Sequence, residues 1–134
     1  MTRHVIAPDW IVNGYAFPAD VQVTECDDLA DLAESEIANA DFVVLPYEGS
    51  EISLEEAISR MTNVKVIQTL TAGFDNVQPF VPAHVTLCNA AGVHDDATSE
   101  LAVLLTLSVL RDMPRSFKAQ QDKHWETYFA RSLA

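Results

Sequence analysis

The stretch Ser53-Leu-Glu-Glu-Ala-Ile-Ser-Arg-Met-Thr-Asn-Val-Lys-Val-Ile-Gln-Thr-Leu70 predicts one helix followed by one strand. Ser53 and Glu56 have the spacing of a capping box, in which each side chain accepts a hydrogen bond from the other residue's amide. The helix has one apolar stripe at i, i+3, i+4 and i+7, formed by Leu54, Ala57, Ile58 and Met61. Residues 64–70 are short, apolar and partly β-branched, which indicates a strand.

The same alternation continues in both directions along the chain. Four further short apolar runs predict strands at residues 4–7, 21–24, 41–46 and 85–89. A helix is predicted over residues 28–38, whereas residues 9–20 are interrupted by Gly14 and Pro18 and are predicted to be a loop with at most one irregular turn. Strands separated by helices imply a parallel sheet with right-handed crossovers. The predicted fold is therefore an α/β, flavodoxin-like, doubly wound sheet of five strands.

Composition narrows the class of protein. The chain has 134 residues, 49% of them hydrophobic, which is enough for one domain with a core. A net charge of -12 repels phosphate backbones, so a general nucleic-acid binder is excluded. No apolar run reaches the length of a membrane span, and the N-terminus has no signal-peptide pattern. Two cysteines, Cys26 and Cys88, are expected to be reduced thiols in a cytoplasmic protein.

The charge is distributed unevenly. Residues 1–100 carry 17 acidic and 3 basic side chains, and residues 101–134 carry 3 acidic and 5 basic ones. Either the acidic side chains solvate the outer faces of surface helices, or the last 34 residues leave the main body and lie against something else.

A helix predicted over residues 97–111 is apolar on every face, so it needs cover all round. That cover is either a second domain or subunit, or the core of this same domain. Pro114 suits the first turn of a further helix at residues 114–123, with Phe117 and Trp125 expected to point inward.

Two turns are candidates for a ligand site. Thr71-Ala-Gly-Phe-Asp-Asn-Val77 follows a predicted strand, where ligands of open α/β sheets collect, and Gly73 permits a sharp turn and close approach of a small carboxylate to the backbone amides. The alternative is an ordinary strand-to-helix turn in which Asp75 caps a helix.

The second candidate turn precedes the apolar helix. Asp95 or Asp96 is expected to cap that helix, leaving the amides around Thr98 as an anion site beside His94. A metal site at His94 is not expected, because adjacent residues rarely converge on one ion. With only four glycines, the chain has neither a Gly-x-Gly-x-x-Gly nor a Walker A loop.

Four segments together resemble a known family: Val66-Ile-Gln-Thr-Leu-Thr-Ala-Gly-Phe-Asp-Asn-Val77, Val85-Thr-Leu-Cys-Asn-Ala-Ala-Gly-Val93, Thr98-Ser-Glu-Leu-Ala102 and Leu110-Arg111. They are similar to the N-terminal part of the D-isomer-specific 2-hydroxyacid dehydrogenases, which include phosphoglycerate dehydrogenase. The resemblance implies a substrate domain at residues 1–96 and, at residues 97–134, an apolar crossing helix that leads towards a Rossmann domain absent from this sequence.

The resemblance also implies roles for particular residues. The amides of Ala72 and Gly73 would hold the substrate carboxylate, and Tyr47 and Glu48 would line the pocket. Thr98 would touch the nicotinamide side of NAD or NADP, and His94 falls where some members place a substrate-contacting side chain. The apolar helix would form a homodimer interface.

The chain departs from the family pattern, since the Gly-rich cofactor loop and the catalytic Arg, Glu and His would lie beyond residue 134. The 134 residues alone are therefore expected to be inactive, as the N-terminal part of an oxidoreductase that acts on a 2-hydroxy or 2-keto acid. The alternatives are a non-catalytic flavodoxin-like interaction module and a small-carboxylate-binding protein.

Overall fold

The structure is a computed structural model that describes residues 2–47 and 50–133. The chain forms two compact units, Met1–Gly92 and Val93–Ala134.

The first unit is built on a five-stranded sheet in the order β2-β1-β3-β4-β5. All neighbouring strands are parallel. The strands are β1 (Arg3–Ala7), β2 (Val21–Glu25), β3 (Phe42–Val44), β4 (Val66–Gln68) and β5 (Thr86–Cys88). This order is the doubly wound order of flavodoxin-like sheets, so the predicted fold and all five predicted strands are confirmed.

Helix α1 (Asp9–Gly14) lies where the sequence predicted a loop, so that prediction was wrong. Pro8, at φ -57°, precedes the helix, and its carbonyl accepts from the amides of Ile11 and Val12 at 3.0 and 3.1 Å. Pro18 lies beyond the end of this six-residue helix and does not interrupt it. Gly14 and Pro18 therefore lie at and beyond the end of α1 and do not prevent the helix from forming.

The single helix predicted over residues 28–38 is also wrong, because the structure has a 3-10 turn at Leu29–Asp31 and a separate helix α2 (Glu34–Ala38). The connecting residues Leu32 and Ala33 have extended backbones. Side chains replace the missing helical bonds: Asp28 Oδ1 accepts from the Ala30 amide at 2.9 Å, and a Glu36 oxygen accepts from the Ala33 amide at 3.1 Å. Local side-chain bonds of this kind compete with a continuous helix.

Helix α3 (Leu54–Arg60) begins as predicted, since Ser53 Oγ accepts from the Glu56 amide at 3.1 Å. The apolar stripe of α3 is packed in the hydrophobic core of the first unit. The largest fully buried side chains of this core come from the strands and from the segments that cover them: Ile6, Leu29, Ile37, Val43 and Ile67. The core therefore belongs to the first unit and positions the ends of the strands.

The second unit contains α4 (Asp95–Leu110) and α5 (Met113–Gln121). Pro114 lies in the first turn of α5, as predicted. The hydroxyl of Tyr128 donates to the Arg111 carbonyl at 3.0 Å, and the Arg131 amide donates to the Leu110 carbonyl at 3.1 Å. The segment after α5 therefore satisfies carbonyl groups at the end of α4.

The apolar side chains of α4 remain exposed, with Leu104 at 59% and Leu105 at 56% of full exposure. The alternative that α4 is a core helix of this domain is therefore wrong. Phe117 and Trp125 are 57% and 89% exposed, so the prediction that they point inward is also wrong. A crossing from α4 into a further domain is not supported by the described residues. None of the helices in residues 2–47 and 50–133 combines the length and apolarity needed to cross a membrane.

Candidate functional site

The loop after β4 lies at the carboxyl end of the parallel sheet and is held by a chain of hydrogen bonds to its carbonyl groups. The buried hydroxyl of Thr69 donates to the Thr71 carbonyl at 2.9 Å, and the Thr71 hydroxyl donates to the Gly73 carbonyl at 2.7 Å. From β5, Asn89 Nδ2 donates to the Ala72 carbonyl at 2.8 Å. Three successive carbonyl groups are thus fixed by partners within the first unit.

The hydrogen bonds of Ala72 and Gly73 within the described residues use their carbonyl groups. Their N–H groups are left as donors on two exposed residues. Two successive amides in a loop of this kind can bind a small anion such as a carboxylate. Within the described residues these two amides donate no hydrogen bond, and the carboxylate contact stays a prediction.

Gly73 does not occupy the left-handed region of the backbone, and a Cβ built on it meets no described heavy atom within 4 Å. The prediction that a sharp turn requires a glycine at position 73 is therefore wrong. Asp75 does not cap a helix either, because the loop continues through a turn into a 3-10 segment, Gln78–Phe80, whose preceding residue is Val77. The backbone conformation and the open space at Gly73 therefore impose no structural requirement for a glycine among the described residues.

Tyr47 follows β3 and lies beside the loop after β4. A small cleft of about 110 Å³ is lined by Tyr47 together with Thr69, Thr71 and Asn76. The structure thus places Tyr47 beside the loop after β4, although neither Ala72 nor Gly73 lines this cleft. Glu48, the other residue predicted to line the pocket, lies outside the described residues.

Sequence reasoning missed the residues that fix this site. Asn89 ties β5 to the loop through Ala72, and Asn76 lines the cleft beside Tyr47. A polar residue at the carboxyl end of a predicted strand, as Asn89 is, was the available signal, because the ends of parallel strands share one edge.

Asp28 was missed because its partner Ser50 lies 22 positions further along the chain. Its carboxylate accepts from the Ser50 hydroxyl, from the Glu51 amide at 3.0 Å and from the Ala30 amide at 2.9 Å. These hydrogen bonds, that of Ser50 above all, hold the pKa of Asp28 below its ordinary value of 3.8. Asp28 therefore connects the chain after β2 to Ser50 and Glu51, which lie between β3 and α3.

His94 and Thr98 belong to the second unit. His94, and neither Asp95 nor Asp96, is the residue that precedes the first turn of α4, and it makes no side-chain cap. The Thr98 amide donates to the His94 carbonyl at 3.0 Å. The predicted anion site at the amides around Thr98 is therefore wrong for that amide, because the helix already uses it.

A second cleft runs along the edge strand β5 and measures about 620 Å³. Its lining is mostly apolar, including Val81, Val85 and Leu87, with the half-buried thiol of Cys88 and no charged side chain. This lining suits a carboxylate less well than the loop amides do. Among residues 2–47 and 50–133, no three His, Cys, Asp or Glu side chains come close enough to share a metal ion.

An open parallel sheet in this order, with exposed amides and clefts at the carboxyl ends of its strands, defines a flavodoxin-like α/β domain. The model of the family described as D-isomer specific 2-hydroxyacid dehydrogenase, catalytic domain, matches residues 14–132. The chain therefore belongs to the D-isomer specific 2-hydroxyacid dehydrogenase family.

Solved structures with the same fold carry related descriptions. A D-isomer specific 2-hydroxyacid dehydrogenase family protein from Aeromonas salmonicida superposes with a TM-score of 0.74 at 16% identity, over 99% of this chain and 44% of that one. A probable 2-hydroxyacid dehydrogenase from Rhizobium etli, in complex with NADP, HEPES and L(+)-tartaric acid, gives 0.65 at 21% identity over 96% and 41%.

A D-lactate dehydrogenase from Aquifex aeolicus, complexed with NAD and lactic acid, gives a TM-score of 0.65 at 15% identity over 98% of this chain and 41% of that one. At these identities the likeness shows the fold. The chain spans about two fifths of the length of these solved structures. No curated protein sequence matches the chain significantly.

Proposed function

We propose that this chain is the substrate domain of an NAD- or NADP-dependent dehydrogenase that interconverts a 2-hydroxy acid and the corresponding 2-keto acid. The observation that carries the proposal is the pair of exposed amides at Ala72 and Gly73, whose carbonyl groups are already bonded. The family membership of the chain supports the reaction type. Lactic acid and tartaric acid in two structural neighbours are small acids of the expected class.

In this proposal the chain's own residues bind and orient the substrate. The two amides hold the carboxylate, while Tyr47 and Asn76 line a cleft along other residues of the same loop. Fixing the carboxylate sets the position of the neighbouring carbon, and restricting a reactant in this way lowers the barrier to reaction. A bound nicotinamide cofactor supplies or accepts the hydride at that carbon.

We assign no dinucleotide site to the described residues. The Thr98 amide is occupied by the His94 carbonyl, so Thr98 offers a ligand its hydroxyl group and not its amide. The 134 residues contain no glycine-rich phosphate loop. We therefore assign the chain no catalytic residue and expect it, by itself, to show no NADH turnover with glyoxylate or hydroxypyruvate; measurable turnover would overturn this part of the proposal.

The test of substrate binding is a titration of the ¹⁵N-labelled chain with glyoxylate, followed by amide chemical shifts. The expected result is a saturable shift of the Ala72 and Gly73 resonances. Glycolaldehyde, which lacks the carboxylate, is the matched control and is expected to leave these two resonances unchanged. Shifts confined to other residues, or equal shifts with both compounds, would contradict the assignment of the carboxylate site.

We further propose that α4 forms a homodimer interface, with residues 1–96 as the substrate domain and residues 97–134 as the connecting and dimer segment. The exposure of Leu104 and Leu105, on a helix that is apolar on every face, supports this proposal. Light scattering after size exclusion is expected to give the mass of a dimer, and Leu104→Glu is expected to give a monomer with an unchanged circular dichroism spectrum. A monomeric unmodified chain would count against the interface.

A cytoplasmic location is proposed on the two free thiols, Cys26 and Cys88.

The second candidate function, a non-catalytic interaction module, is favoured by the same exposed α4. Saturable binding of glyoxylate at the loop amides distinguishes the dehydrogenase domain from this alternative.

A further inference from the structure

A cleft that the proposed function does not use lies at the point where the strand order of the sheet reverses. The order β2-β1-β3-β4-β5 places this reversal between β1 and β3. Ligands of open α/β sheets bind in the crevice outside the carboxyl ends of the strands at such a point. Here the crevice measures about 480 Å³ and is lined by segments that follow three different strands.

The lining combines aromatic rings, prolines and carboxylates. Its six described residues are Pro8, Asp9, Trp10, Asp27, Pro46 and Tyr47. Trp10 is 56% exposed and Tyr47 is 66% exposed, so two large rings meet solvent at one cleft. Rings left exposed together are a common sign of a binding surface.

The carboxylates determine the charge of a suitable ligand. Asp27 Oδ1 accepts from the Asp9 amide at 3.1 Å, and its second oxygen remains for a ligand. None of the six lining residues is basic, and the chain has a net charge of -12. A phosphate or carboxylate would therefore be repelled, whereas a cation would be attracted by the carboxylates and by the ring faces.

We propose that this cleft binds an organic cation, a guanidinium or ammonium group on a small ligand, between Trp10 and Tyr47 and next to Asp9 and Asp27. The site is separate from the amides of the loop after β4, although Tyr47 lines both clefts. The ligand needs no carboxylate, so the inference stands independently of the proposed dehydrogenase function.

The experiment uses the Trp125→Phe variant, in which Trp10 is the only tryptophan left. Trp125 lies in the second unit and is 89% exposed, so its replacement is not expected to disturb the cleft. Argininamide with an acetylated α-amino group, so that the guanidinium is its one charged group, is titrated at low ionic strength, and the fluorescence of Trp10 is followed. Citrullinamide, acetylated in the same way and carrying a neutral urea group in place of the guanidinium, is the matched control ligand. The expected result is a saturable change with argininamide and none with citrullinamide.

Two charge-matched substitutions separate the cleft from the general acidity of the chain. Asp27→Asn retains an oxygen that can accept from the Asp9 amide, and it is expected to weaken argininamide binding about two- to fivefold. Asp31→Asn removes the same charge from an exposed residue outside the cleft lining and is expected to leave the affinity unchanged. Thermal unfolding by circular dichroism verifies that both variants fold.

A third substitution tests the aromatic contribution. Tyr47→Leu is expected to weaken binding about two- to fivefold, as the loss of one exposed cation–ring contact would. Equal weakening by Asp27→Asn and Asp31→Asn would overturn the proposal, because it would indicate attraction to the whole acidic surface. Equal binding of the two ligands, or no saturable change in Trp10 fluorescence, would overturn it as well.

Discussion

Replacing Gly73 by alanine separates the folding role of this residue from its binding role. Gly73 lies outside the left-handed backbone region, and a Cβ at this position meets no described heavy atom within 4 Å. Alanine at a compatible position reduces the conformational freedom of the unfolded chain, which stabilises a protein by about 0.4–1 kcal/mol. We therefore expect Gly73→Ala to fold normally, with a slightly higher free energy of unfolding.

Binding is expected to respond in the opposite direction. If a carboxylate approaches the Ala72 and Gly73 amides, an added methyl group occupies space next to one of them. A hydrogen bond to a charged group contributes about 1.5–3 kcal/mol, so its loss corresponds to at least about tenfold weaker binding. Gly73→Val, with a larger branched side chain, is expected to abolish the binding of glyoxylate.

The assay combines urea denaturation with the amide titration by glyoxylate. Gly14→Ala is the matched control, because Gly14 also has no positive φ and no atom within 4 Å of a Cβ, but ends α1, away from the loop after β4. It is expected to bind glyoxylate like the unmodified chain. Unchanged glyoxylate affinity in Gly73→Ala, or a loss of more than about 1 kcal/mol of stability, would refute the reasoning.

Three further predictions concern stability and reactivity. Burial raises the pKa of Cys26 from 9.0 to about 11, with a further contribution from the nearby carboxylates of Asp28, Asp27 and Asp31. Iodoacetamide at pH 8 is therefore expected to modify Cys26 roughly a hundredfold more slowly in the native chain than in urea. Equal modification rates, measured by peptide mass spectrometry, would contradict this expectation. The pKa of Asp28 in the folded chain lies below 3.8, so the stability that its carboxylate contributes is present above about pH 3.8 and is lost as the pH falls through the folded pKa. Asp28→Asn is therefore expected to lower the urea midpoint at pH 7 but much less near pH 2. An Asp31→Asn control that lost as much stability at pH 7 would argue against the specific contacts of Asp28. Ile67 is fully buried, so Ile67→Ala is expected to cost about 2–5 kcal/mol by urea denaturation, and a cost below about 1 kcal/mol would place it outside the core.

The strands were predictable because their signal is local. Each predicted strand is a short apolar run that begins and ends within a few residues of the observed one, and the alternation with helices led to a parallel sheet. The helix at Ser53 followed equally well, since its cap and its apolar stripe lie within one short segment. The Thr71–Val77 turn was selected for the same reason, because it directly follows a strand.

The errors arose where distant contacts decide the local structure. Residues 28–38 have a helical apolar pattern, but Asp28 bonds to Ser50, 22 positions away, and the chain breaks into two short turns of helix. The capping prediction for α4 failed by a smaller shift, since the helix begins at Asp95, two residues before its predicted start, and already uses the Thr98 amide.

The sequence by itself determined the fold class, the position of the Thr71–Val77 turn after β4 and the apolar character of α4, because periodicity, turn residues and strand order along the chain are local properties. Only the tertiary structure decided which groups of the loop are occupied: the carbonyl groups of Ala72 and Gly73 accept hydrogen bonds, and no hydrogen bond within the described residues uses their amides. It alone also brought Trp10, Asp27 and Tyr47 to one cleft. These residues follow three different strands, and they become neighbours because β1 lies between β2 and β3 in the sheet.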